Sequence, residues 1–259
     1  MKSFNTRKIK KKPKVSIILP NYNSSKTIGA TINSVLQQTY KNWELIIVDD
    51  CSDRKTKNIL SKYRKIKKIK ILYLKKNKGA GLCRNLAIKK TNSYYLAFID
   101  SDDLWKKNKL KIQIDFMQNN NCDFTYTHYE TFNQNKKIIK TIKTPTKFNF
   151  QSFVKNTSIA TSSMIVKRIL ANKTKFSNTK ICEDYYFKCQ LLKKTQFAFC
   201  CPHYLVQYQI RENSLQSNRF KNLYWMWKIN RELNQFNLIK NLISIFFISI
   251  NSLKKYGLR

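Results

Sequence analysis

VSIILPNYN, residues 15–23, is a short, mostly apolar and β-branched run that stops at a proline and two asparagines. A strand buried on both faces reads this way, and ligands in α/β proteins gather beyond the carboxyl ends of such strands. Ile28, Ile32, Val35 and Leu36 then recur at helical spacing within residues 26–39, after which WELIIVDDCSD (43–53) repeats the apolar run and ends on paired aspartates. Strand, helix and strand make a βαβ unit. The alternation continues with a helix at 54–65, a strand at 69–74, a helix at 82–90 and a strand at 95–99. It predicts an α/β fold with a mostly parallel central sheet and helices on both faces. Past Trp105 the regularity weakens to a helix at 106–118, a strand near 123–128 and a Lys/Thr-rich stretch at 136–147, as in a second, mixed portion.

Acidic residues are scarce, 14 against 51 Lys and Arg, so their clustering is informative. Asp49, Asp50 and Asp53 follow one expected strand; Asp100, Asp102 and Asp103, with Ser101 among them, follow another; Glu183 and Asp184 open a later helix. Three carboxylates in one turn repel one another unless a cation sits among them, and hard oxygen ligands suit Mg²⁺ or Mn²⁺. The same residues also suit a turn and a helix cap. Asp49 and Asp50 offer acceptors for a nucleobase or ribose, although Ser52 or Asp53 capping the next helix explains that cluster equally well. For Glu183 and Asp184 the bland reading is charge complementing a helix N-terminus.

The net charge of +37 implies a strong positive field, which attracts nucleic acid, anionic lipid or phosphorylated substrates alike; heavy use of Lys, Asn and Ile throughout the chain is another source. A basic nucleic-acid-binding protein is one alternative, opposed by the strand-end aspartates, which repel phosphates. A metal-dependent nucleotidyltransferase is another, separable by its pyrophosphate product. Seven cysteines without a CxxC pair indicate neither a zinc site nor a disulfide framework.

Five motifs occur in order: VSIILPNYN, WELIIVDDCSD, NKGAGLCRNLAI (77–88), YYLAFIDSDDLW (94–105) and CEDYYFKCQL (182–191). Together they resemble the family 2 glycosyltransferases, inverting enzymes with the GT-A fold, over about residues 13–217. The resemblance implies a nucleotide-sugar-binding half at 13–105 and an acceptor half at 106–217, between a basic leader (1–12) and a helical tail (218–259). It implies that Pro20, Tyr22, Asn23, Asp49 and Asp50 hold the base and ribose of the nucleotide sugar. Arg84 would pair with phosphate or with the aspartate cluster, Asp100 and Ser101 would help bind the nucleotide sugar, and Asp100 and Asp102 fit the DxD motif for a Mn²⁺ or Mg²⁺ ion, with Asp103 in support. Asp184, in the family's ED position beside Glu183, is the implied catalytic base. YQIRENS (208–214) resembles a YRxHxxS element in which one cation, Arg211, remains to face the diphosphate. Cys51 stands where the family commonly has glycine, and no QxxRW motif follows, which argues against a processive polymerase.

Residues 219–235 read as a helix, and FNLIKNLISIFFISINSLKK (236–255) places Asn237, Lys240, Asn241, Ser244, Asn251 and Ser252 along one narrow stripe in an otherwise apolar helix. Its uncharged core is too short for a span of about 20 residues, whereas an amphipathic helix flanked by Lys254 and Lys255 can lie in a membrane interface. Packing on the enzyme or on a second copy is the alternative. The tail is similar to that of bacterial family members that build surface polysaccharides, including teichuronic-acid-type enzymes. The resemblance implies a UDP-sugar donor, a glycan or lipid-linked glycan acceptor and no nucleic-acid partner. The N-terminus lacks the apolar region of a signal peptide, so the expectation is a cytoplasmic enzyme, peripheral at the inner face of the plasma membrane.

Overall fold

The structure, a computed structural model, describes residues 14–135, 137–210 and 219–256, so Arg211 and the leader lie outside the described residues. The first half runs β1 (Val15–Asn21), α1 (Ile28–Leu36), β2 (Trp43–Asp49), α2 (Arg54–Ser61), β3 (Ile69–Tyr73), α3 (Ala80–Lys89) and β4 (Tyr95–Phe98). These strands pair in parallel in the order β3-β2-β1-β4, with Asn21 opposite Asp49, so β1 and β2 end at the same level.

Because side chains alternate along a strand, one set packs beneath the sheet and the other above. Ile18, Ile46, Val48, Leu96 and Phe98 enter one core, while Ile17, Leu19, Leu45, Ile47 and Ala97 enter the other. Both faces are therefore dry, and the polar chemistry is confined to the strand ends.

The second half comprises β5 (Leu104–Trp105), α4 (Lys109–Asn119), β6 (Phe124–Phe132), β7 (Ile138–Ile142), β8 (Lys147–Phe148), α5 (Phe150–Phe153), a 3₁₀ turn at Thr161–Ser163, β9 (Ile165–Lys167), α6 (Arg168–Ala171), α7 (Glu183–Lys194) and β10 (Ala198–Gln209). One sheet continues through both halves as β4-β9-β6-β10-β5, with β9 antiparallel to β4 and β6, and β6 parallel to β10. β7 lies within the Lys/Thr-rich stretch for which the sequence signalled no strand. It pairs with β6 through mostly exposed residues, a lysine-bearing margin with too little apolar alternation to recognise.

Helices α8 (Arg219–Glu232) and α9 (Leu238–Tyr256) close the chain. The narrow polar stripe of α9 is turned inward. Asn230 Nδ2 donates to Asn241 Oδ1 (3.1 Å) and Ser244 Oγ (3.0 Å), Tyr185 donates to Asn230 Oδ1 (2.8 Å), and Ser244 donates to the Val154 carbonyl (2.6 Å). The apolar residues Leu238, Ile239, Leu242, Phe246 and Phe247 face outward, Ile239 at 70% exposure. No helix among the described residues is long and apolar enough to cross a membrane.

Candidate active site

The carboxyl ends of β1 and β2 are laced together by buried polar side chains. Asn21 Nδ2 donates to Asp49 Oδ1 at 2.7 Å, the Ser52 amide donates to Asp49 Oδ2 at 3.2 Å, and the Asn23 amide donates to Ser52 Oγ at 2.9 Å. Asp49 is fully buried, so the nucleotide contact expected of it is corrected: its charge organises the loop from within. Asp53 caps α2 by accepting from the Thr56 amide, the alternative left open by the sequence. Cys51 holds a left-handed φ of 63°, so the loop keeps the glycine-like conformation at a cost of about 1–2 kcal/mol.

Asp50 is 3% exposed, and its two oxygens accept the backbone N–H groups of Lys78 and Gly79, both at 2.7 Å. It thereby fixes the start of α3, where Gly79 has a φ of 85°. Pro20 is buried in β1, whereas Tyr22 and Asn23 are exposed where the strand ends. Of the five residues expected at the base and ribose, these last two present side chains to solvent.

α3 carries Arg84 about one turn beyond its start. The helix can approach the segment before α7 because residue 81 is glycine: a Cβ there would meet the Ser177 carbonyl at 2.7 Å and Glu183 Cγ at 2.9 Å. Arg84 is 4% exposed and bridges two carboxylates, with Nη2 2.6 Å from Asp100 Oδ1 and Nη1 2.6 Å from Glu183 Oε1. Burial opposes its charge, but Asp100 and Glu183 outweigh it and hold the guanidinium above its ordinary pKa. Of the two partners implied for Arg84, phosphate or the aspartate cluster, the planar fork takes the second, with Glu183 added. Glu183 is likewise engaged as half of this bridge.

After β4 the chain turns through Asp100, Ser101, Asp102 and Asp103, closed by the Asp103 amide donating to the Asp100 carbonyl at 3.1 Å. Asp100, Ser101 and Asp102 are partly exposed. Asp103 points inward, fully buried, accepting from Ser162 Oγ and from the Gln209 amide (2.9 Å). Burial first, then the charges of Asp102 and Asp100, push its carboxyl well above the ordinary range. It braces the acidic turn from within, tying it to β10 and the 3₁₀ turn.

Asp184 follows Cys182, whose left-handed φ of 61° swings the chain into α7. Its Oδ2 accepts from Thr161 Oγ1 and Lys188 Nζ, each at 2.6 Å, and its side chain remains 22% exposed. Burial works to raise its pKa, but Lys188 and Thr161 prevail and hold the carboxyl well below its ordinary value. Lys188, buried, also donates to the Ile159 carbonyl (2.7 Å) and to Thr161 (3.0 Å). Lys188 and Thr161 were missed by sequence reading. Lys188 had a signal, its place four residues after Asp184 on one helical face; Thr161 had none.

The structure thus links Asp100, Arg84 and Glu183 in one chain of contacts, with Asp184 next in sequence. An acidic turn beyond a parallel strand, joined through a buried arginine to the start of a carboxylate-bearing helix, is the arrangement of a glycosyltransferase of the GT-A class. Residues 16–209 match Glycosyl transferase family 2, and the chain belongs to that family. It is 35% identical over 246 residues to the putative teichuronic acid biosynthesis glycosyltransferase TuaG of Bacillus subtilis, covering 94% of this chain and 98% of that one. It is 38% identical to WfgD of Escherichia coli, a UDP-Glc:alpha-D-GlcNAc-diphosphoundecaprenol beta-1,3-glucosyltransferase, over 83% of this chain and 84% of that one. Among solved structures, S. aureus TarS with UDP-GlcNAc superposes with a TM-score of 0.72 at 22% identity, over 94% of this chain and 73% of that one. The Pyrobaculum calidifontis mannosyltransferase PcManGT with GDP-Man and Mn²⁺ gives 0.69 at 12% identity, over 96% and 77%. At these identities the two structures establish the fold.

Proposed function

We propose that this glycosyltransferase moves a sugar from a UDP-sugar to a hydroxyl of a lipid-linked glycan in bacterial surface polysaccharide synthesis, with inversion at the anomeric carbon. The observation that carries the reading is Asp184, ionised, partly exposed and oriented by Lys188 and Thr161. Inversion by a single displacement needs one carboxylate to take the acceptor proton as the hydroxyl attacks. Asp184 is suited to that task, with Oδ1 left for the acceptor while Oδ2 is held.

In this reading Tyr22 and Asn23 would contact the nucleotide, and Asp100 and Asp102 would hold Mn²⁺ or Mg²⁺. Among the described residues no group of three or more His, Cys, Asp or Glu side chains forms a metal site. A hard divalent ion carried with the nucleotide takes one or two carboxylates from protein and the rest from phosphates and water. When bound, the cation supplies Lewis-acid stabilisation of the departing diphosphate. Arg84 neutralises Asp100 from behind and limits the repulsion within the acidic turn.

The outward apolar face of α9 supports peripheral contact with the inner face of the plasma membrane. The exposed Lys254 on the same helix suits anionic headgroups. Incubating the protein with a UDP-sugar panel, Mn²⁺ and a polyprenyl-diphosphate-linked sugar tests the reaction. Release of UDP with an extended acceptor is expected; pyrophosphate as the sole product, or no transfer from any donor, overturns it.

A further inference from the structure

A second cavity lies apart from the aspartate cleft, where the end of α9 meets the connection between β7 and β8. About 510 Å³ in volume, it is lined by Lys143, Thr144, Thr146, Asn156, Ser158, Asn251, Lys254 and Lys255, with Pro145 at its wall. Three ammonium groups therefore share one recess with hydroxyl and amide groups, and no carboxylate is among the described lining residues. Lysines gathered this way make the recess positive, which suits an anion.

The rim is built rather than incidental. The Pro145 carbonyl accepts from Tyr126 (2.7 Å), Thr144 Oγ1 is hydrogen-bonded to His128 Nδ1 (3.0 Å), and Asn251 Nδ2 donates to the Lys155 carbonyl (3.0 Å). Lys255 is pushed down to about 8, first by burial and then by the charge of Lys188. Ser158 of the lining stands three residues before Thr161, which donates to Asp184, so the recess adjoins the segment that holds the candidate base. The outward apolar face of α9 runs toward the same end, with Leu253 exposed beside the two lysines.

We infer that this recess binds the diphosphate of the lipid-linked acceptor, Lys143, Lys254 and Lys255 supplying the charge and Thr146 and Ser158 the neutral hydrogen-bonding groups. The inference rests on the lipid-linked acceptor proposed above. A cavity of this size has room for a diphosphate and the first sugar beyond it. The lipid chain would leave along α9, and the sugar would extend toward Asp184.

The test is binding of farnesyl diphosphate to the full chain with UDP and Mn²⁺ saturating the donor cleft, with inorganic pyrophosphate and phosphatidylglycerol nanodiscs as parallel probes. Farnesyl diphosphate is expected to bind under UDP saturation and to lose about tenfold or more in affinity in the Lys143→Gln/Lys254→Gln/Lys255→Gln variant. Lys143→Glu alone, at an exposed position, is expected to weaken binding in the same direction and guards against misfolding of the triple variant. Unchanged affinity in both variants, or displacement by UDP, overturns the proposal. So does equal affinity for pyrophosphate, which marks a site for free anion, and so does selective loss of nanodisc binding alone, which marks a bulk headgroup contact. Because this readout needs no turnover, its failure is separate from a failure of UDP-sugar transfer.

Discussion

Lys188 sits one helical turn after Asp184, close enough that its ammonium and the carboxylate share a strong charge-assisted hydrogen bond. That contact orients the carboxylate and also lowers its basicity, so Lys188 acts as a positioning residue. Lys188→Met is expected to raise the Asp184 pKa, moving the acid limb of the kcat/KM profile to higher pH; an unmoved limb would detach Lys188 from the base. The stability consequence follows the same sign. The depressed folded-state pKa of Asp184 contributes stability that is complete above the unfolded carboxylate value of about 3.9 and is lost as pH falls through the folded value. Asp184→Asn is expected to keep UDP affinity while turnover falls about 10²-fold or more, measured by UDP release. Near-normal turnover would place the base elsewhere. The positions of these acids at strand ends and at a helix start were legible in the sequence, because chain order alone puts them there. Their pairings were legible only in part: the aspartate cluster was one of two partners open to Arg84, but its bridge to Glu183 and the inward turn of Asp103 depend on contacts between residues as far as 106 positions apart.

At the scale of elements, α3 is the part that couples the two ends of the cleft. Asp50 pins its first turn, Arg84 reaches Glu183 from its second, and Gly81 sets its distance from the approach to α7. Gly81→Ala is expected to cost about 1–3 kcal/mol in a denaturation experiment, because the Ser177 carbonyl cannot move aside as a flexible side chain would. A neutral result would mean that α3 shifts freely. The elements of the first half were readable because each strand is a short apolar run and each helix keeps its spacing. β7 was not, since its residues are mostly exposed and carry no buried face to impose a pattern. For α9 the period was right and the direction was open. Only the partners Asn230 and Val154 decide which face turns in. Asn230→Leu is expected to destabilise the chain by about 1–3 kcal/mol for each buried group it strands, read as a lowered Tm.

For the whole molecule, a single sheet spans both halves, so they are held in register by β-pairing across β4, β9 and β6. The net charge of +37 is spread over a body whose final helix points apolar side chains at solvent, and the two features together bear on membrane contact. Sedimentation with phosphatidylglycerol vesicles is expected to fall steeply in Ile239→Glu/Phe246→Glu and to weaken with salt for the native chain; equal recovery with neutral vesicles and with the variant would leave α9 to a protein partner. Composition alone announced attraction to anions without naming the surface, because charge counts carry no direction. The inverted orientation of α9 also has a practical side. Its outward residues hold little of the fold together, so a solubilised form for crystallisation can be made by recolouring Ile239, Leu242 and Phe246 with polar groups. The same exchange at Asn241 or Ser244, which looks gentler on paper, would dismantle the helix's seat.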